Sequence, residues 1–282
     1  MSSIDYATLF GYHSVAAAAV FAVVYCVMGA WYVRQSLKNT TRVYIVLTLF
    51  CAIRITAFII RAIESNSVTE GSNLNLFIGD QVLFGVGFFA LLFSAFTLVL
   101  DRNILAGGPG ADGTTLNLLR NSRVFRLLLL LGVILSIVGT TDITSSNPNT
   151  VSTGESLHKA STAIFLVLTL VQLAQTIYFF QDTPINASNE GNRWGSRHAN
   201  VLLLGISLMM LLREGFLTAT INDSTRQNNE HLWYPLVAVP EFLAVVCYSV
   251  SGLVPTRRAI KEMESQKPGR GQEQYGMMGS RV

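Results

Sequence analysis

The chain has 282 residues, of which 50% are hydrophobic and only 13% charged, with a net charge of +3. A soluble domain carries roughly 25% charged residues, so this chain lacks the ionic surface that water requires. With a mean hydropathy of +0.43, that excludes an ordinary cytosolic enzyme, a secreted domain and a nucleic-acid binder, and leaves a polytopic membrane protein.

A helix needs about 20 apolar residues to cross a bilayer. Seven stretches reach that length: 12–33, 43–63, 76–100, 124–141, 158–180, 199–221 and 233–255. They are continuous and do not alternate, which excludes the strands of a barrel. The expected fold is all-α, a seven-transmembrane-helix bundle over 1–255 followed by a basic, flexible tail over 256–282. No basic segment precedes the first run, so it is expected to remain as a span and not to be cleaved as a signal peptide.

Along the chain, Trp31 and Tyr32 close the first run, and Trp233 and Tyr234 open the last, as aromatic belts do. Arg34, Lys38 and Arg42 follow the first span. Arg102, Arg120, Arg123 and Arg126 flank the loop after the third, and Arg193 and Arg197 follow the fifth. The tail adds Arg257, Arg258, Lys261, Lys267, Arg270 and Arg281, whereas the alternate loops carry only Lys159 and Arg226. Basic residues stay on the cytoplasmic side, so the N-terminus is expected outside and the C-terminus inside. The segment after the third span contains Gly108-Pro-Gly110-Ala-Asp-Gly113, formally G-x-G-x-x-G, but no strand precedes it and it reads as a linker. Gly132, Ser136 and Gly139 in span four, and Gly85 and Gly87 in span three, are small residues at helix-packing spacing. Asn222-Asp-Ser224 is a glycosylation sequon on the expected outer face. Cys26, Cys51 and Cys247 lie inside apolar runs and give neither a disulfide framework nor metal spacing.

Six ionisable residues fall within the spans: Arg54, Arg61, Asp80, Arg213, Glu214 and Glu241. Each costs roughly 2.5–3.5 kcal/mol in hydrocarbon, so an interior or functional position is expected for all of them. At about 1.5 Å per residue, Arg61 and Asp80 come out near the outer surface, Arg213, Glu214 and Glu241 ~10–13 Å below it, and Arg54 near the midplane. Arg54 and Arg61 are seven residues apart and so share a helix face directed into the bundle. Their expected partners are Asp80 first, then Glu214 or Glu241. Gln81, Asp142 and His158 lie at outer span ends and mark the rim of a polar cavity open to the outside. The plainer alternative is a set of ion pairs that only fixes helix packing.

Three functions compete. An intramembrane zinc enzyme would need converging histidines, but His13, His158, His198 and His231 sit at span ends, with His198 on the opposite side; neither a metal nor another cofactor is expected, and no G-x-S-x-G nucleophile occurs. A seven-span receptor fits the topology, and Asp101-Arg102 matches the pair at the inner end of span three in heptahelical receptors. Span seven, however, has no Asn-Pro-x-x-Tyr and no lysine for retinal. A lipid or amphiphile transporter is the third reading. Spans one to three and five to seven run the same way, which permits a 3 + 1 + 3 parallel repeat in which Arg54 answers Arg213 and Asp80 answers Glu241.

Leu131-Gly-Val-Ile-Leu-Ser-Ile-Val-Gly-Thr-Thr-Asp142 with His158-Lys159-Ala160, the Arg54 region, and Tyr234-Pro-Leu-Val-Ala-Val-Pro-Glu241-Phe-Leu-Ala-Val-Val-Cys-Tyr248 resemble a fungal seven-span family known only as a domain of unknown function. In general plan that family is similar to the fungal lipid-translocating exporters of the RTA-like group. Those carry Arg-x-x-Tyr-Arg-x-x-Glu in span six. Leu212-Arg213-Glu214-Gly215-Phe216 keeps one arginine and lacks the second. The resemblance implies fold and topology over nearly the whole chain up to Arg258. The reading taken forward is an integral multi-pass protein of the plasma membrane or an endomembrane. Its partners are membrane lipids and a lipid or small amphiphilic ligand held in an outer polar cavity; no nucleic acid is involved.

Overall fold

The computed structural model of the chain describes residues 11–12, 14–105, 122–145, 147–182 and 194–266. The Gly108–Gly113 motif, His13 and the end of the tail lie outside them. Seven helices are long and apolar enough to cross a membrane: α1 (Val15–Lys38), α2 (Arg42–Asn66), α3 (Leu74–Leu105), α4 (Ser122–Ile143), α5 (Pro148–Asp182), α6 (Ala199–Ala219) and α7 (Glu230–Tyr248). A final helix, α8, spans Arg257–Gln266. The protein is an all-helical, polytopic membrane protein.

Helix α1 begins where the Ser14 hydroxyl accepts the Ala17 N–H at 3.2 Å, relieving one orphan donor of the first turn. It buries only Ala18, Tyr25, Gly29 and Tyr32, a single stripe at helical spacing, while Val20, Val23 and Val27 face outward. Such a helix is apolar on all sides because its outer face meets lipid, not water. Helix α3 is the centre of the bundle: 67% of its most apolar window is buried, against 22% for α4.

Helices α4 and α5 pack backbone to backbone. A side chain on Gly139 would lie 2.8 Å from the His158 nitrogen, and one on Gly154 would lie 2.7 Å from Asp142 Cβ. Ser161 donates to the Gly132 carbonyl at 2.7 Å, so two of the three small residues expected to face a neighbour, Gly132 and Gly139, face α5. The third, Ser136, instead faces Gly85 of α3.

Helices α5 and α7 start well before their apolar runs. Helix α5 begins at Pro148, with Asn147 Oδ1 accepting the Asn149 N–H at 3.1 Å; proline at the first helical position and a polar cap are ordinary start signals. Helix α7 begins at Glu230 and contains a π-helical turn over Tyr234–Ala238. Pro240 has no N–H to give Leu236 and would crowd that carbonyl. The wider turn, with Val239 N–H bonded to Tyr234 O, absorbs the mismatch immediately before Glu241.

Candidate functional site

All six intramembrane charges are buried and all have partners, in two clusters, one toward the Tyr12 end of the bundle and one nearer its middle, where Arg54 is the central residue of α2. In the first, Tyr12 stands just ahead of α1. Arg61 donates to Asp80 Oδ2 at 2.8 Å and to the Tyr12 oxygen at 3.0 Å. Tyr12 donates to the same Asp80 oxygen at 3.0 Å and accepts from Gln81 at 2.5 Å. Burial holds the Tyr12 phenol well above its ordinary pKa, so it keeps the proton it donates. The Arg61 guanidinium lies over three rings: Tyr12 at 4.3 Å, Phe84 at 4.3 Å and Trp233 at 3.9 Å. Ring faces attract a cation and shield it from hydrocarbon.

The second cluster is a tetrad. Arg54, fully buried, donates to Glu241 Oε1 at 2.6 Å and to the Phe84 carbonyl at 3.2 Å. Arg213 Nε lies 2.8 Å from that same Glu241 oxygen, and Arg213 Nη1 also pairs with Glu214. Two cations thus meet two anions, and Glu241 bridges both arginines. Gly87 makes the arrangement possible: a side chain there would lie 2.9 Å from the Arg54 guanidinium carbon. Both arginines of α2 face inward, as their spacing requires. The two arginines divide the expected partners between them: Asp80 takes Arg61 and Glu241 takes Arg54.

Between these clusters and helices α4 and α5 lies a cavity of about 560 Å³. Its walls include Phe77, Phe84, Phe88, Phe165 and Trp233, with Arg61, Gln81, Ser136, Thr140, His158 and Lys159 among its polar residues. Arg213 and Glu214 reach it from α6, and Arg213 lies 4.0 Å over the Phe88 ring. Arg54, Asp80 and Glu241 stand behind the lining. Gln81 and His158 line the cavity. Asp142 does not; it packs against Gly154, where the early start of α5 crosses the end of α4. Asn222 of the sequon lines the mouth with Gln227 and Asn228.

Two residues were not singled out from the sequence, and a third, Arg102, was given another role. Tyr12 read as the first residue of a span, and Glu64 falls one residue past the second apolar run. Glu64 is buried with neither carboxylate oxygen bonded among the described residues. Arg102 read as a loop cation, yet it is buried at the opposite end. There it donates to Leu253 O at 2.8 and 2.6 Å, to the carbonyl of Gly252, itself left-handed with φ of 92°, and to Ser196 Oγ at 3.5 Å. That position ties α3 to the chain after α7 and is a structural clamp.

A family described as a domain of unknown function (DUF7702) matches residues 9–258. The chain belongs to that family. The match spans all seven helices and both clusters, and it carries the unknown-domain resemblance without extending to the lipid-translocating exporters. Neither a curated protein nor a solved structure matches the chain.

Proposed function

We propose that this DUF7702 protein binds or transports a lipid or another small amphiphile through the cavity, and that it is not an enzyme. One observation carries the reading: a single cavity joins an aromatic wall to a set of arginine, glutamate, histidine and lysine side chains, which is the division of an amphiphile itself. Its size falls within the ~300–1,000 Å³ of ordinary small-molecule sites. Buried ion pairs stabilise poorly for their desolvation cost, so packing alone is a weak reason to keep six charges there.

We also infer that the cavity end faces outside. Tyr12 and Ser14 lie at that end, with Ser14 N–H bonded to Glu230 at 3.1 Å, whereas Arg34, Lys38, Arg42, Arg102, Arg123, Arg126, Arg197, Arg257 and Arg258 mark the other. In that orientation α1–α3 and α5–α7 form two parallel triplets, with Arg54 and Arg213 as corresponding arginines.

Thr140→Trp tests the site by filling the cavity from α4. Binding of a fluorescent single-chain amphiphile to protein in nanodiscs should weaken at least about tenfold, with little change in melting temperature. Unchanged binding by a folded variant, or no binding by the wild type, would contradict the proposal.

A further inference from the structure

We propose that the cavity takes an anionic headgroup against Arg213 together with one proton on Glu214, so that amphiphile and proton enter as a neutral pair. This rests on the cavity being a ligand site. Within the tetrad only Arg213 and Glu214 reach the cavity. Glu241 cannot be displaced without also stranding Arg54, because one of its oxygens serves both arginines. Glu214 has no such tie. It is the residue next to Arg213, and neighbours on a helix point about 100° apart, so their pairing depends on the arginine bending back.

A ligand anion entering the cavity competes with Glu214 for that guanidinium. If Glu214 kept its charge, two arginines would face three anions in a low-dielectric site, where like charges repel strongly. Protonation of the Glu214 carboxylate restores the balance; the proton comes from water at the open end of the cavity, and no bond of the ligand is broken. The other charged groups around Glu214 are fixed or peripheral. Arg54 and Glu241 complete the tetrad, and across the cavity Arg61 is held by Asp80 and Tyr12. His158, Lys159 and Glu155 of α5 line the cavity, while α4 contributes Ser136 and Thr140. Lys159 is a cation, so Glu155, His158 and the buried Glu64 beside Arg61 and Asp80, unbonded among the described residues, are the competing proton acceptors.

Titration calorimetry of the wild-type protein in nanodiscs, in two buffers of different ionisation heat, counts the protons. The probe is decanesulfonate, whose headgroup stays charged throughout; decyl phosphate and decanoate distinguish phosphate from carboxylate amphiphiles, and decyl maltoside is the neutral control. One proton should be taken up per sulfonate bound, with affinity rising about tenfold per unit fall in pH. Glu214→Gln should bind without proton uptake or pH dependence, whereas His158→Gln, whatever it does to affinity, should still take up one proton per sulfonate bound. Absence of uptake by the wild type, or uptake that survives Glu214→Gln, would overturn the proposal without any variant being required for the first result. Binding of decyl maltoside as tight as that of the anions would end this inference and leave the amphiphile site standing. No binding of any probe would end both.

Discussion

The two ends of the bundle treat buried arginine differently. At the cavity end Arg54, Arg61 and Arg213 are held by carboxylates and aromatic faces, around a space large enough for a ligand. At the other end Arg102 donates to the main-chain carbonyl oxygens of Gly252 and Leu253 and to the Ser196 hydroxyl, groups that do not titrate near neutral pH. A carboxylate can change charge; a main-chain carbonyl or a serine hydroxyl cannot. One end is therefore built to respond and the other to hold.

The largest expected effect lies in the tetrad. Glu241→Ala strands Arg54 and leaves Arg213 with Glu214 as its carboxylate partner, and should cost about 3–5 kcal/mol of stability, the range for breaking one buried pair. Adding Arg54→Met should recover most of that loss, whereas adding Arg213→Ala should not, since it strands Glu214 as well. Denaturation of the purified variants in nanodiscs measures this, and no recovery on adding Arg54→Met would mean that Arg54 does not depend on Glu241.

Arg102→Ala should cost about 1.5–3 kcal/mol through lost charge-assisted bonds, with amphiphile binding unchanged. A selective loss of binding would erase the distinction between the two ends. Gly87→Ala presses a methyl group onto the Arg54 guanidinium and should cost about 1–3 kcal/mol; neutrality would mean that Arg54 has room to move. Tyr12→Phe removes a donor to Asp80 and an acceptor for Arg61 and Gln81, for about 1 kcal/mol. Thermal shift of the single variants ranks these three.

The spans were legible because hydropathy reports burial in lipid directly, and the inward face of Arg54 and Arg61 followed from their spacing. The carboxylates that serve, Asp80 and Glu241, were among those expected, but which arginine each takes was not legible, because counting from the ends of the apolar runs leaves Arg54, Arg213, Glu214 and Glu241 at nearly the same depth. Glu64 escaped because it lies just beyond an apolar run although α2 continues to Asn66. The Pro148 start of α5 was written in the sequence as an Asn-Pro pair, but the polar residues before His158 masked it. The displacement of Asp142 from the cavity follows from that same extension. The cavity walls, drawn from six helices, are a product of packing that no single stretch encodes.

Direct observation of the cavity in a lipid-nanodisc structure tests the central claim most plainly. The account requires amphiphile density with its headgroup within hydrogen-bond reach of Arg213 and its chain against Phe88 and Phe165. A cavity holding only ordered water, with lipid confined to the outer faces of α1 and α4, would contradict it.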